Sequence, residues 1–274
     1  MTINCKGKLI DFSVPKVMGI LNLTPDSFYD GGKYKNQDEI LLRTEKMLNE
    51  GANFIDIGGY SSKPNASFVT EEEEIKRVIP IVKLLAETFP DILISVDSFR
   101  AKVAQESIAA GAAIINDISA GNLDDKMIPT IGKLQVPYLM MHMRGTPQTM
   151  QTKTTYNNLT QEINYYFSQK IQEAYNAGIN DIIIDPGFGF AKTTEQNFEL
   201  FKQLDIFKHF QLPILVGISR KSMLYKTLET TPDNALNATS VLNTYALLNG
   251  ANILRVHDVK EAVECVKLTQ KLMF

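Results

Sequence analysis

Cysteine is nearly absent from this chain: two in 274 residues, Cys5 and Cys265, near opposite ends. Two thiols so placed form no disulfide framework and no metal-ligand spacing, which suits a reducing cytosol. Histidine is almost as scarce, with only His142, His209 and His257. No cluster therefore supplies the His, Cys and carboxylate set of a zinc site. No nucleophile and base stand in a triad-like arrangement. Apolar runs are short, none approaching the roughly 20 residues that span a bilayer. The opening stretch MTINCKGKLIDFSVP has no apolar h-region and no signal-like cleavage pattern. Positive charge is not in excess either: 28 Lys and Arg stand against 31 Asp and Glu, for a net charge of −3. Without a basic footprint, nucleic acid and anionic membrane surfaces are not expected partners. The expectation is a soluble cytoplasmic protein.

What the chain does have is a regular alternation. Its length and 44% hydrophobic content suit one large α/β domain or two small ones. Residues 1–12 read as a short strand or arm before Pro15. Short apolar, β-prone runs follow at 17–22, 54–57, 92–96, 113–115, 137–141, 181–184, 213–218 and 252–256. Between them lie helix-patterned stretches at 38–50, 70–86, 100–110, 124–134, 159–177, 194–204 and 233–249, with 259–272 closing the chain. Thr70 is placed to cap its helix. The run Glu71 to Glu74 then needs no partner, because negative charge is favourable in a first turn. Strands that are continuously apolar are parallel strands buried on both faces. About eight strand–helix units without a linker or composition shift predict a single-domain (β/α)8 TIM barrel over 1–274, with 1–15 as an N-terminal strand or arm. A doubly wound sheet is the alternative, but GxGxxG does not follow the first strand.

In a barrel of this kind the chemistry sits at the C-terminal strand ends. Reading those positions gives Asn22; Asp56 with GGYSSKP after it; Asp97 and Ser98; Asn116 and Asp117; His142 and Arg144; Asp185 with PGFGF; Ser219 to Ser222; and Arg255 with His257. They sort into two chemistries. Asp97, Asn116 and Asp185 accept hydrogen bonds, and buried carboxylates need N–H donors. Arg or Lys partners in the core would satisfy them; so would a ligand rich in ring N–H and amino groups, such as a pterin or purine. The second set is cationic. Arg255 and His257, two apart on one strand, share a face, with Lys221 on the neighbouring strand and Asn22 adjacent on closure. This set reads either as a phosphate or pyrophosphate site or as a salt-bridge cluster. The glycines of DPGFGF let the chain turn after Asp185. Phe190 is thereby placed to stack on a planar ligand and Phe188 to cover the rim. Met141 is adaptable packing against a flat ring. His142 and His209 read as structural.

The segments MGILNLTPDSFYDGG (18–32), GANFIDIGGYSSKPNA (51–66), ISVDSFR (94–100), AGAAIINDISAG (110–121), LMMHMRGTP (139–147), IIIDPGFGF (182–190), PILVGISRKSML (213–224) and LRVHDV (254–259) together resemble the dihydropteroate synthase family, in the family's order and over essentially the whole chain. The resemblance implies a (β/α)8 barrel, in agreement with the strand count, and a reaction joining 4-aminobenzoate to 6-hydroxymethyl-7,8-dihydropterin diphosphate with release of pyrophosphate. It implies that Asp97, Asn116, Met141, Asp185 and Lys221 hold the pterin. It assigns the diphosphate to Asn22, Ser62, Arg255 and His257, with Asn22 near a magnesium ion. It places Phe28, Ser62, Lys63, Pro64, Phe190, Lys221 and Ser222 around 4-aminobenzoate. Asn22, Lys221, Arg255 and His257 are the expected catalytic set, and a homodimer is the expected assembly. The second loop departs from the common GGESTRPGA: Tyr60 replaces an acid, Ser62 a threonine, Lys63 an arginine and Asn65 a glycine. Lys63 keeps the charge but loses the planar fork that pairs bidentately with a carboxylate or phosphate.

The aryl amine is neutral at pH 7 and needs no strong base, so the harder step is departure of the diphosphate. Two rivals remain. A methyltetrahydrofolate-binding methyltransferase module shares the carboxylate and amide floor, but a folate methyl donor brings no diphosphate for the SRK and RVH motifs. A non-catalytic pterin-binding paralogue is supported only by the altered second loop.

Overall fold

The short apolar strands can bury both faces only between a ring of helices and a packed interior. The computed structural model describes residues 1–23, 33–60 and 69–273. An antiparallel hairpin comes first, β1 (Thr2–Cys5) with β2 (Lys8–Asp11). Eight strands follow: β3 (Lys16–Asn22), β4 (Phe54–Gly58), β5 (Ile94–Asp97), β6 (Ile114–Asp117), β7 (Tyr138–Met141), β8 (Ile182–Asp185), β9 (Leu215–Val216) and β10 (Ile253–Val256). They pair in the order β8-β7-β6-β5-β4-β3-β10-β9, every pair parallel. A parallel bridge from Ile184 to Ile214, with the Ile184 N–H donating to the Pro213 carbonyl at 3.0 Å, joins the two ends. The sheet closes, which rules out the doubly wound alternative and leaves no open edge. Outside it run α1 (Lys33–Asn49), α2 (Glu71–Thr88), α3 (Ala101–Ala109), α4 (Met127–Leu134), α5 (Leu159–Asn176), α6 (Thr194–Lys202), α7 (Ser222–Thr227), α8 (Leu236–Leu248) and α9 (Val259–Met273). None of the described helices is long and apolar enough to cross a membrane.

The two-residue period of a strand divides the apolar set. Leu21, Ile55, Ile57, Ile115, Met140, Ile184, Val216 and Leu254 face outward into the large cluster under the helices. Met18, Phe54, Ile114, Leu139, Ile183, Leu215 and Ile253 face inward and form a separate cluster with Ile3, Cys5, Ile10 and Phe12. The expected N-terminal arm is thus a hairpin that plugs the lower end of the barrel. Its turn runs through Lys6 and Gly7, at φ 52° and 80°, the pair of left-handed residues a tight hairpin favours. The two cysteines belong to different clusters, Cys5 in the plug and Cys265 under the helices.

Thr70 caps α2 by accepting from the Glu73 N–H at 3.2 Å. The acidic run behind it is not wholly without a partner, however. Glu74 is fully buried and ion-paired with Arg100, because the helix turns that position onto the barrel wall. The stretch expected as one helix over 233–249 divides into a 3-10 turn at Pro232–Asn234 and α8. The carbonyls of Pro232 and Asp233 accept from Arg220 Nη1 at 2.9 and 2.7 Å and so are held outside the helix. Strand β9 is shorter than expected, since the chain turns after Gly217 and the Ile218 carbonyl accepts from the Lys221 N–H at 3.0 Å.

Phe12 lies in the plug and is 4% exposed. Phe12→Ala is expected to cost about 3–5 kcal/mol in denaturant unfolding, as buried aromatic truncations do. Because the plug closes the end away from the strand C-termini, kcat/KM of the folded variant is expected to stay near that of the parent.

Candidate active site

Two residues above the inward apolar layer, the same faces turn polar. Asp56 follows Phe54, Asn116 follows Ile114, Met141 follows Leu139, Asp185 follows Ile183, and Arg255 follows Ile253. Asn22 and Asp97 end their strands in the same ring. Arg255 is the centre of this layer. Its Nε donates to Asp56 Oδ2 at 2.6 Å and its Nη2 to Asp97 Oδ2 at 2.8 Å. The Asn116 amide donates to Asp56 Oδ2 at 3.2 Å. A carboxylate can only accept, so Asp56 fixes which end of that amide is the donor and leaves Oδ1 as the acceptor. The acidic and cationic sets that the sequence separates are therefore one cluster: Asp97 has an Arg partner before any ligand enters. Asp56 is fully buried and had no assigned role. The signal that places it was the period of β4, which turns it inward with Phe54.

Burial raises the pKa of Asp97 to about 7 against the pull of Arg255, and the adjacent Asp56 adds to the rise. Burial also raises that of Asp185, which Lys221 opposes. Asp185 Oδ1 accepts from the Gly187 N–H at 2.8 Å. Lys221 precedes α7 and donates to the Phe188 carbonyl, with its Nζ 4.7 Å from the centroid of the Phe190 ring. Burial lowers its pKa to about 8. Phe188 is fully buried against Phe201, centroids 5.1 Å apart, so it is a core residue, while Phe190 stays half-buried at the mouth. Phe190 packs with the cluster that contains Met141, Met143 and Met150. Ser222 opens α7 beside Lys221.

Arg220 turns away from this layer. It sits at φ 55° and forks onto Asp258 at 2.8 and 2.9 Å, tying the SRKS turn to the end of β10. His257 lies next to that tie and pairs through Nδ1 with Ser219 Oγ at 3.1 Å. Burial and the Arg255 charge lower its pKa, which the Asp258 carboxylate opposes. His142 is buried and His209 exposed, neither of them on the inward ring.

Two glycines keep space in the ring. A Cβ on Gly58 would stand 3.6 Å from Asp97 Cβ and 3.9 Å from Asn22 Oδ1; one on Gly217 would stand 3.8 Å from Arg255 Cβ and 4.0 Å from Asp185 Oδ2. Phe28, Ser62, Lys63 and Pro64 lie outside the described residues. The residues on either side of 61–68 are held by one side chain: Arg100 donates to the Val69 carbonyl at 2.6 Å and lies 5.7 Å from the Tyr60 ring centroid. Tyr60 also packs edge-on against Phe99 and accepts from Gln148. Among the described residues no three His, Cys, Asp or Glu side chains gather to hold a metal ion.

Fold and site define a (β/α)8 barrel whose C-terminal mouth gathers carboxylate and amide acceptors with Lys, Arg and His beside them. A family model described as pterin binding enzyme matches residues 18–257. Dihydropteroate synthase of Escherichia coli strain K12 is 41% identical over 272 residues, 98% of this chain and 96% of that protein. The crystal structure of Yersinia pestis dihydropteroate synthase with a sulfonamide drug complex matches with a TM-score of 0.93 at 42% identity, over 100% of this chain and 99% of that one. Xanthomonas albilineans dihydropteroate synthase with 4-aminobenzoic acid matches with a TM-score of 0.92 at 34% identity, over 99% of this chain and 98% of that one. The chain belongs to the pterin binding enzymes and, within them, to the dihydropteroate synthases.

A carboxyl group with a raised pKa carries a proton below that pKa and then accepts from a ligand N–H only through its carbonyl oxygen, without the charge that strengthens the bond. Affinity for 6-hydroxymethylpterin is therefore expected to fall as the pH drops below about 7, where Asp97 takes up its proton. Calorimetric titration across pH 5.5 to 8.5, with Asp97→Asn showing a flatter profile, checks this.

Proposed function

We propose that this dihydropteroate synthase joins its two substrates by dissociative loss of the diphosphate followed by capture of the pterin methylene by the aryl amine. The observation that carries the reading is the ring at the barrel mouth in which half-buried Asp97 and buried Asn116 and Asp185 stand beside Arg255 and Lys221. Asp97, Asn116 and Asp185 accept from the pterin's ring N–H and amino groups, and Met141 packs on its face. Arg255, His257 and Asn22 receive the diphosphate, with Ser62 contributing from the second loop. The bond between the methylene carbon and the diphosphate oxygen breaks with both electrons going to oxygen. Arg255 then stabilises charge that is greatest as that bond breaks, and Asp97 and Asp185 favour the cationic methylene species left behind. The amine of 4-aminobenzoate forms the new carbon–nitrogen bond and loses its extra proton to water. Phe190, Ser222 and Lys221 border that second substrate, along with Phe28, Ser62, Lys63 and Pro64.

A magnesium ion fits this site as a companion of the diphosphate. The described residues offer no carboxylate cage for it, and Mg²⁺ keeps several waters and phosphate oxygens as ligands, so the Asn22 Oδ1 is a suitable single protein donor. When bound, the ion offsets negative charge on the diphosphate.

The proposed assembly is a cytoplasmic homodimer. Val241, Tyr245 and Leu248 make an exposed stripe along α8, and Leu268 and Leu272 another along α9. These rows have the i, i+3 and i, i+4 spacing of one helix face. Sedimentation equilibrium is expected to give a dimer and to give a monomer for Val241→Lys with Leu248→Lys.

Dihydropteroate formation, assayed with and without Mg²⁺, tests the reaction itself. Arg255→Ala is expected to lower kcat by about 10²–10³, the cost of losing one donor to developing oxyanion charge. Asp185→Asn is expected to weaken binding of the pterin substrate. Turnover of methyltetrahydrofolate instead, or pterin binding without dihydropteroate formation, would replace this reading by a methyltransferase module or a non-catalytic paralogue.

A further inference from the structure

Lys192 is 4% exposed and takes no part in the chemistry above. Its Nζ donates to the Gly187 carbonyl at 2.9 Å and the Phe190 carbonyl at 3.0 Å, and lies 3.1 Å from His142 Nδ1. Three acceptors therefore surround the three N–H donors of its ammonium form, which burial disfavours, lowering the pKa to about 7, and which the Asp185 charge supports. An ammonium taken out of water costs free energy unless it is fully hydrogen-bonded, so its placement calls for a reason.

That reason lies in the turn above it. Between Asp185 and Lys192 the chain is left-handed at Gly187 (φ 72°), Gly189 (φ 83°) and Ala191 (φ 48°). The two glycines take this backbone without strain, whereas Ala191 persists there only when its surroundings over-determine it. Here side chains take up its polar groups one after another. Asp185 accepts from the Gly187 N–H at 2.8 Å, Asn197 from the Gly189 N–H at 2.6 Å, and Tyr156 donates to the Ala191 carbonyl at 2.9 Å. Lys192 donates to the Gly187 and Phe190 carbonyls. Gly187 also presses on the end of β7, where a Cβ would lie 2.0 Å from the His142 carbonyl.

The chain on the other side of Lys192 is equally constrained. The His142 N–H donates to the Asp185 carbonyl at 3.0 Å. The His142 ring meets Tyr166 edge-on, centroids 4.9 Å apart, and the Tyr166 hydroxyl lies 3.1 Å from the Met141 carbonyl. Burial and the Lys192 charge hold His142 well below its usual pKa, so its ring is neutral and can accept. One ammonium thus connects the segment that carries Asp185 and Phe190 to the strand that carries Met141.

We propose that Lys192, seated on His142, is a positioning residue for the pterin end of the site: it sets Asp185 and Phe190 against Met141 without touching substrate. The inference rests on the pterin assignment of Asp185 made above. It distinguishes Lys192 from Lys221, which reaches the same turn from the mouth.

The test uses the full-length protein with two probes, 6-hydroxymethylpterin and inorganic pyrophosphate with Mg²⁺, titrated calorimetrically. Lys192→Met keeps the length and removes the donors. It is expected to weaken 6-hydroxymethylpterin by about tenfold or more, the scale of one or two buried hydrogen bonds, while pyrophosphate affinity stays within about twofold. Lys192→Gln, which can still donate to both carbonyls, is expected to recover most of that loss. In the parent protein, nitrogen-15 NMR is expected to show His142 as the Nε2–H tautomer, with Nδ1 accepting. Unchanged pterin affinity in Lys192→Met overturns the proposal. So does an equal loss for both probes, which would make Lys192 a general stability residue, and so does an Nδ1–H tautomer, to which Lys192 could not donate. The tautomer and Lys192→Gln decide the matter if Lys192→Met does not fold. Asp185→Asn is run alongside: if it leaves pterin binding unchanged, the pterin assignment itself fails, whereas a loss there with none in Lys192→Met removes only the positioning role.

Discussion

Arg255 stands inside a closed barrel between two carboxylates, and the layer around it is arranged by that contact. Asp56 and Asp97 come from neighbouring strands, and each bonds one guanidinium nitrogen. A buried ion pair gains little net stability over a well-packed apolar core, yet removing one member leaves an uncompensated charge. The cluster is therefore better understood as a device for orientation than as a source of stability. Asp56 holds Arg255 and the Asn116 amide together. With Arg255 so anchored, its charge stays in the mouth and cannot fold away toward solvent. Asp97 is kept close to the positive charge, which opposes the rise that burial imposes.

The same logic extends outward. Three strand-end segments near functional groups are held by residues that contribute nothing to the chemistry. Arg220 secures the SRKS turn to Asp258, and so places Lys221 and His257 on adjacent turns. Arg100, paired with Glu74, holds the residues flanking the second loop. Lys192 holds the turn after β8. All three are cations aimed at backbone carbonyls or carboxylates near strand ends. Carbonyls that leave a parallel sheet lose their ladder partners, and a buried one needs a donor from elsewhere. Long cationic side chains bring several donors on one stem, which suits a crowded strand end.

Much of this was legible from residue pattern alone. Eight apolar runs separated by helical spacing implied the barrel, and polar residues after nearly every run implied a mouth. The resemblance added the reaction. Asp97, Asn116, Asp185, Arg255 and Met141 do meet in one layer. The division of that layer into an acidic half and a cationic half did not survive, because strands far apart in sequence become neighbours: Arg255 is 199 residues from Asp56 and 158 from Asp97. Phe188 and Phe190 look alike in DPGFGF, yet alternate backbone directions send one into the core and leave the other at the mouth. Glu74 reads as one of four first-turn acids needing no partner, and its burial depends on which turn of α2 meets Arg100.

The sequence by itself determined the strand and helix order, the barrel class and the identity of the polar residues at its mouth. These follow from local period: a two-residue repeat within strands and turn residues after them are written into neighbouring positions. Only the tertiary structure decided the pairings, namely Arg255 with Asp56 and Asp97, Lys192 with His142, and the hairpin 2–11 with the inward apolar layer. Those depend on closure of the sheet, which joins β3 to β10 and β8 to β9. Hydrogen bonds between such distant residues act over about 3 Å, and only the folded chain sets distances on that scale.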